Sequence, residues 1–428
     1  MMYKPRAMRR SLGPGVVRVS AILLELAVSL LLARILGVVD FGIFTYALAY
    51  TQIAVVFAAF GNPLVSTRYV AHYKALNDGV GVMHYVRYMQ RKVVTVFVLV
   101  LTLVIGIAYL LDRLNNDAYF NPICLFMVAL LPWALIRFQA GCVGGAGWVA
   151  RAQLPEYIVR PVIFLSAVPL VYWWNDGEIS VQSVVVVYIL GTVAALMIAI
   201  ALNKNATKSF AGIVQLGGDE KQWLKSSWLL TLFGGVQILG SQIDIIFLAI
   251  YEPPDMVAVY RVAYQIMSAV GFALTVVNLS YAPRFATHYA NKDIRSMQSS
   301  ATKCARLALL GVALPASIVL VFGGDVIPLA FGKAYVNSNT IALILILGLM
   351  VSAGTGSVST MLNMSGHERE TLYSAVAGLL LAGILCMVLI PEYGAIGAAT
   401  ASAVSLSIKN IYLYSRARKL LGVRSFVF

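Results

Sequence analysis

Residues Val181–Leu202 read VQSVVVVYILGTVAALMIAIAL, a run without one ionised side chain. About 20 such residues, wound as a helix, cross the ~30 Å hydrocarbon layer of a bilayer. Outward from this run the same pattern recurs, delimited by charge clusters and Pro/Gly breaks. The first set of spans is Val16–Leu36, Ile43–Asn62, Val93–Leu111, Pro122–Val143, Tyr157–Trp173 and Val181–Leu202. The second is Trp228–Ile250, Val257–Leu279, Leu307–Phe322, Ile341–Leu362, Leu372–Ile390 and Ala395–Tyr414. Composition agrees. Of 428 residues 60% are hydrophobic and only 12% charged, with mean hydropathy +0.83. A soluble domain carries about 25% charged residues, so this chain has too few ionised groups to wet its own surface. The fold class is therefore an all-α polytopic membrane protein of about 12 transmembrane helices.

Basic residues set the orientation. One side of the alternating loops holds Lys4, Arg6, Arg9 and Arg10, then Arg68, Lys74, Arg87, Arg91 and Lys92. It continues through Arg151, Lys204, Lys208, Lys221, Lys225, Arg284, Lys292, Arg295, Lys303, Arg306 and Arg369 to the tail group Lys409, Arg416, Arg418, Lys419 and Arg424. The opposite loops hold Arg113 and Lys333. By the positive-inside rule both termini are expected in the cytoplasm, with the chain in the cell's inner (plasma) membrane. The net charge of +14 then sits against anionic membrane lipids and needs no nucleic acid.

The two halves echo each other. Thr67-Arg68-Tyr69-Val70-Ala71-His72-Tyr73 follows the second span, and Pro283-Arg284-Phe285-Ala286-Thr287-His288-Tyr289 follows the eighth. Asp40 and Asp255 precede those two spans. A weaker echo relates Gly147-Trp148-Val149-Ala150-Arg151 to Gly366-His367-Glu368-Arg369-Glu370, each opening the fifth span of its half. Six spans per half, entering from the same side, make a parallel repeat about an axis along the membrane normal. The expected organisation is two pseudo-symmetric six-helix lobes, residues 1–215 and 216–428.

Other signals exclude chemistry. No small-residue cleavage site follows the basic opening Met1–Arg10, so a cleavable signal peptide is not expected. Cys124, Cys142, Cys304 and Cys386 show neither disulfide nor metal spacing and read as buried, reduced thiols. Gly332-Lys333-Ala334 lacks the rest of a phosphate loop, so ATP is not the direct energy source. His72, His84, His288 and His367 fall in expected loops without metal spacing, and no metal site is expected. No nucleophile–base pair emerges and the outer loops are short, so an enzyme is not expected. Gly141-Cys142-Val143-Gly144-Gly145 reads as close helix packing within the chain.

Four stretches carry a resemblance over nearly the whole chain: Leu31-Leu32-Ala33-Arg34-Ile35-Leu36-Gly37 with Asp40-Phe41-Gly42-Ile43-Phe44; Gly61-Asn62-Pro63 leading into Arg68-Tyr69; Leu362-Asn363-Met364-Ser365-Gly366-His367-Glu368; and Pro391-Glu392-Tyr393-Gly394-Ala395-Ile396-Gly397-Ala398-Ala399-Thr400. With them the chain resembles the polysaccharide-transport family of oligosaccharide flippases. That family shares a superfamily with multidrug-and-toxin extruders and lipid II flippases. The extra helices typical of lipid II flippases are missing. The resemblance implies a V-shaped pair of six-helix bundles working by alternating access. It also implies a lipid-linked oligosaccharide, carried on undecaprenyl pyrophosphate, as cargo. A polysaccharide polymerase or export machinery is an implied partner.

Ionised groups inside spans are costly and need a reason. Seven stand out: Arg18, Glu25, Arg34, Arg137, Arg160, Asp244 and Arg261. Arg18 and Glu25, seven apart, share one helix face. Arg18, Arg137 and Arg160 are expected in the cytoplasmic half, where guanidinium forks match a pyrophosphate; the bland alternative is snorkelling to the interface. Asp244 and Arg261 are expected to form an ion pair, structural or gating. Glu25 is the candidate for coupling to H⁺ or Na⁺, with no other cofactor, or else sits in a static pair with an arginine. Arg34 reads as an interface anchor near Asp40, with a cavity role the alternative. Tyr46, Tyr50, Tyr260 and Tyr264 read as packing residues, with stacking on sugar rings the alternative. Three other classes remain open at this point. A multidrug or cation antiporter of the same superfamily would want a dominant acidic site. A membrane-embedded glycan polymerase or transferase would want a folded outer loop. A non-transporting assembly subunit would tolerate alanine at Arg137, Arg160 and Glu25.

Overall fold

The computed structural model describes residues 5–115, 120–207 and 219–425. Lys4, Lys208 and the expected lobe boundary at 215/216 lie outside the described residues, as do the side chains of Arg6, Arg9, Arg10 and Arg113.

The described chain is a series of helices joined by short turns. The first half runs α1 (Pro5–Ile35), α2 (Gly37–Ala58), α3 (Asn62–Ala75), α4 (Gly79–Asn115), α5 (Phe120–Met127), α6 (Leu130–Gly145), α7 (Val149–Leu154), a π-turn (Pro155–Val159), α8 (Arg160–Trp174) and α9 (Val181–Thr207). The second runs α10 (Glu220–Tyr251), α11 (Pro254–Val270), α12 (Phe272–Ala290), α13 (Ile294–Phe331), α14 (Ser338–Gly354), α15 (Val358–Met364) and α16 (Glu368–Leu421), with a short 3₁₀ turn Lys333–Tyr335 after α13. Among the described residues nine helical stretches are long and apolar enough to cross a membrane. Two bent pairs, α11–α12 at 42° and α14–α15 at 43°, raise the count to eleven. The twelfth lies inside α16. Its 54 residues would extend about 80 Å if straight, far more than a bilayer needs. Gly394 breaks it with φ 53 and ψ −133, a conformation that favours glycine. A Cβ on Gly397 would lie 2.2 Å from the carbonyl oxygen of Leu389, so the chain doubles back tightly here. This is a multi-pass membrane protein, and its described residues are consistent with about twelve spans.

The chain divides into two compact units, Met1–Leu31 with Ala47–Ile238, and Leu32–Tyr46 with Leu239–Phe428. Each is built around the fourth span of its half. In the first unit α6 packs on α3 and α9. Helices in a bilayer gain little from hydrophobic association and rely on close packing at small residues. A Cβ on Gly141 would come within 2.7 Å of the Pro63 carbonyl oxygen, and one on Gly145 within 2.8 Å of that of Thr67. The small-residue run is therefore a seam within the chain. In the second unit α14 packs on α11, α13 and α16, and Gly348 plays the same part, 2.7 Å from the Ala403 Cα by the same measure. One group of aromatic residues in the first unit gathers on Trp223, fully buried near the start of α10. Tyr69, Tyr73, Tyr85, Tyr88 and His84 place their rings 5.0–6.3 Å from it, edge-on, as ring quadrupoles prefer.

The echoed segments take the same local structure. After the Arg–aromatic–x–x–His–Tyr run, α3 ends with Asn77 at φ 55 and α12 ends with Lys292 at φ 55. The Asp78 N–H then reaches back to the Tyr73 carbonyl at 2.9 Å, and the Asp293 N–H to that of His288 at 3.0 Å, a left-handed helix stop. Each aspartate at once caps the next long helix. Asp78 Oδ1 accepts from the Gly81 N–H at 2.7 Å, and Asp293 Oδ1 from the Ser296 N–H at 3.0 Å. Hydrogen bonding to Ser296 holds the Asp293 carboxyl below the usual carboxylate range. The weaker echo matches too. Gly147 (φ 97) and Gly366 (φ 77) precede Trp148 and His367, whose N–H groups reach back to Val143 at 3.1 Å and Leu362 at 2.9 Å. His72, His84 and His288 lie inside helices rather than in loops, because α3, α4 and α12 run beyond the apolar windows.

Candidate functional site

The first unit holds a buried cluster of opposite charges. On α6, Trp133 and Arg137 are one turn apart and share a face. The next span was expected to begin at Tyr157, which left Pro155 and Glu156 in a loop. The helix instead runs continuously from Val149 to Trp174. Proline has no N–H and its ring clashes with the carbonyl four residues back. The π-turn relieves both, with the Arg160 N–H bonding the Pro155 carbonyl five residues earlier. Such widened turns often mark functional sites. This one turns Glu156 inward, where it is buried.

Glu156 Oε1 accepts from Trp133 Nε1 at 2.8 Å and from Arg137 Nε at 3.0 Å. Arg160 lies 4.2 Å from the centroid of the same indole and 5.2 Å from the Tyr188 ring on α9. Arg137 is 5.6 Å from that indole. One Arg160 atom, Nη1, is shut off from solvent without a hydrogen-bond partner, which is costly for a guanidinium donor. The charges of Arg18 and Glu25 on α1 act on Tyr157, and that of Glu25 also on Tyr188. Both α1 side chains are exposed and make no ion pair among the described residues. Three arginines against two glutamates leave the neighbourhood one positive charge in excess. Glu156, Trp133 and Tyr188 went unnoticed in the sequence. The signal for the acid was an apolar window that continues through a proline, as membrane helices allow.

The second unit buries Asp244 of α10. The expected partner was Arg261, and the structure corrects this. Asp244 Oδ2 accepts from the Tyr260 hydroxyl and from Ser402 Oγ at 3.1 Å, and Oδ1 from the Ile245 N–H at 2.8 Å. Successive helix residues point about 100° apart at 3.6 residues per turn. With Tyr260 aimed at the carboxylate, Arg261 is turned away and lies 5.9 Å from the Tyr264 ring. Tyr46 and Tyr260 are buried, and the Tyr260 hydroxyl is engaged by Asp244.

Arg34 is likewise corrected, from interface anchor to helix cap. Its Nε donates to the Ala330 carbonyl at 2.7 Å, and its Nη2 to that of Leu329. Those carbonyls belong to the last turn of α13, where helical partners run out and a cation suits the dipole. Among the described residues the four cysteines form no disulfide.

The sequence profile of the polysaccharide biosynthesis protein family matches residues 15–289, and that of the MatE family matches residues 235–388. No curated protein matches. Among solved structures the fold is similar to an inward-facing multidrug resistance MATE family transporter of the MOP superfamily, with TM-score 0.73, 13% identity, and 95% of this chain and 98% of that one covered. The lipid II flippase MurJ in an inward closed conformation matches with TM-score 0.73 and 13% identity over 94% of this chain and 87% of its own. A MOP superfamily transporter from Pyrococcus furiosus, described as having a binding pocket of reverse polarity, matches with TM-score 0.69 and 14% identity over 97% and 95%. With a profile matched over more than half its length on this fold, the chain belongs to the polysaccharide-transport family of the superfamily that also holds the MATE transporters and MurJ.

Proposed function

We propose that this protein is a flippase. It moves an undecaprenyl-pyrophosphate-linked oligosaccharide from the inner to the outer leaflet for O-antigen, capsule or exopolysaccharide synthesis. Arg160 carries the reading: among the described residues its Nη1 is sealed from solvent without a hydrogen-bond partner, and it lies on the same indole as Arg137, so the cluster keeps a guanidinium donor for an incoming anion. A diphosphate matches such forks bidentately, and the family match supports a glycan cargo. Two six-helix lobes, 1–215 and 216–428, would rock about the site, with both termini in the cytoplasm and the lipid tail left in the bilayer. Coupling to H⁺ or Na⁺ would run through the acids Glu25 and Asp244, with Arg261 as a gating residue. A polysaccharide polymerase or export machinery would take the product.

The test is complementation of a flippase-null bacterium, scored by surface polysaccharide. Wild type is expected to restore it, while well-expressed Arg160→Ala lowers it at least tenfold. Full restoration by Arg160→Ala would discard the cation site. A second reading, a multidrug antiporter, is favoured by the MatE match and the buried acid Asp244. It predicts drug resistance from wild type and none from Asp244→Asn, with no polysaccharide phenotype.

A further inference from the structure

A site meant for an anion already contains one. Glu156 holds the same guanidinium and indole donors that an incoming diphosphate would use, at 3.0 Å from Arg137 Nε and 2.8 Å from Trp133 Nε1. We propose that Glu156 is a displaceable counter-anion: it neutralises Arg137 while the site is empty and takes up one proton when a diphosphate ester displaces it. This rests on the cargo reading above and adds to it how binding is linked to protons.

The physics is like-charge exclusion. A diphosphate and a carboxylate cannot share one small, dry cluster as anions without strong repulsion, and two acids at one site ionise one at a time. An empty site without Glu156 would leave Arg137 and Arg160, 5.6 and 4.2 Å from the Trp133 ring centroid, without its counter-charge, a costly arrangement in an apolar interior. The groups facing the carboxylate fix the sign. From α6 come Arg137 and the Trp133 indole; from its own helix, Tyr157 and Arg160; from α9, Tyr188. From α1 the charges of Arg18 and Glu25 reach Tyr157. While the arginines serve Glu156 it stays ionised. Once the phosphate oxygens take the Arg137 Nε–H, Glu156 loses that bond and gains an anionic neighbour, so a proton from solvent goes onto its freed carboxylate. The proton leaves again when the cargo does.

The experiment uses the purified full-length protein with two probes, inorganic pyrophosphate and geranyl diphosphate. Calorimetry in buffers of different ionisation enthalpy counts the protons taken up per probe bound. Wild type is expected to take up about one proton more than Glu156→Gln, which binds tighter because nothing competes. Affinity linked to one proton falls about tenfold per pH unit where the linkage is complete, and Glu156→Gln should lose that slope relative to wild type. Glu156→Asp, which keeps the carboxylate, should keep the uptake. Similar affinity for both probes puts recognition in the anion, and tighter binding of the ester adds the lipid chain; displacement holds in either case. Equal proton counts in wild type and Glu156→Gln, with binding still lost in Arg160→Ala, would overturn the displacement and leave the flippase reading standing. Probe binding that is absent from wild type, or indifferent to both Arg137→Ala and Arg160→Ala, would overturn both.

Discussion

Among the described residues each unit buries one acid inside a membrane span, Glu156 and Asp244, and the two are held in opposite ways. Glu156 is bound by an arginine and an indole, with a second arginine against the same ring. Asp244 is bound by two hydroxyls and a backbone N–H, with the nearby arginine turned aside. The backbone punctuation of the repeat is shared down to the left-handed residue after each Arg–aromatic–x–x–His–Tyr run, so what diverged is the chemistry of the interior. A net-cationic cluster suits an anionic ligand. A lone carboxylate among hydroxyl oxygens suits a proton or a small cation. Under the proposed function this difference divides labour between the halves, with cargo in the first and coupling in the second.

The largest expected effect is at Arg137. Removing it strands Glu156 as an unpaired buried charge, and breaking a buried pair from one side costs about 3–5 kcal/mol. Arg160 makes no ion pair within the unit, so Arg160→Ala should cost much less stability while abolishing transport. Thermal or denaturant unfolding in detergent, beside the complementation score, separates the two. Equal destabilisation would mean that Arg160 braces the fold and is no free cation. Arg137→Ala combined with Glu156→Gln should regain most of the lost stability and none of the transport.

The next effect lies in the second unit. Tyr260→Phe withdraws one donor from buried Asp244, at a cost of about 1–3 kcal/mol. If Asp244 carries the coupling ion, the same change should also shift the pH or Na⁺ dependence of transport, whereas the residual transport of Arg160→Lys, which keeps the charge but not the planar fork, should keep the wild-type dependence. Coupling that moves with Arg160 and ignores Tyr260 would reverse the assignment of the two halves.

The fold was legible because its information is one-dimensional. Apolar runs of the right length name the spans, and even the hairpin inside α16 was marked by Pro391 and Gly394 between two runs. The site was half legible. Arg137 and Arg160 stand out as charges in apolar sequence, but Glu156 follows a proline and reads as loop until the π-turn carries the helix through it. The Asp244–Arg261 pairing failed for a different reason. Matching depth along two helices says nothing about rotation around them, and one residue of offset handed the carboxylate to Tyr260. Arg34 shows the same limit, since its partners are backbone carbonyls of α13, which carry no sequence signature.

The smallest expected effect tests the repeat itself. Asp78 and Asp293 make the same cap in equivalent places, but Asp78 is buried and Asp293 exposed. A lost aspartate cap costs about 1 kcal/mol, so Asp78→Ala should lower the unfolding midpoint measurably. Asp293→Ala should do so by less, because water replaces the lost acceptor. The Asp293 carboxyl is held below its usual range in the folded protein, so its contribution is present at neutral pH and fades as pH falls through that lowered value. The destabilisation caused by Asp293→Ala should therefore shrink on acidification, and the gap between the two variants should change with it. A gap that stays constant while wild type destabilises would place the acid sensitivity elsewhere, with the arginine-held Glu156 the first residue to substitute.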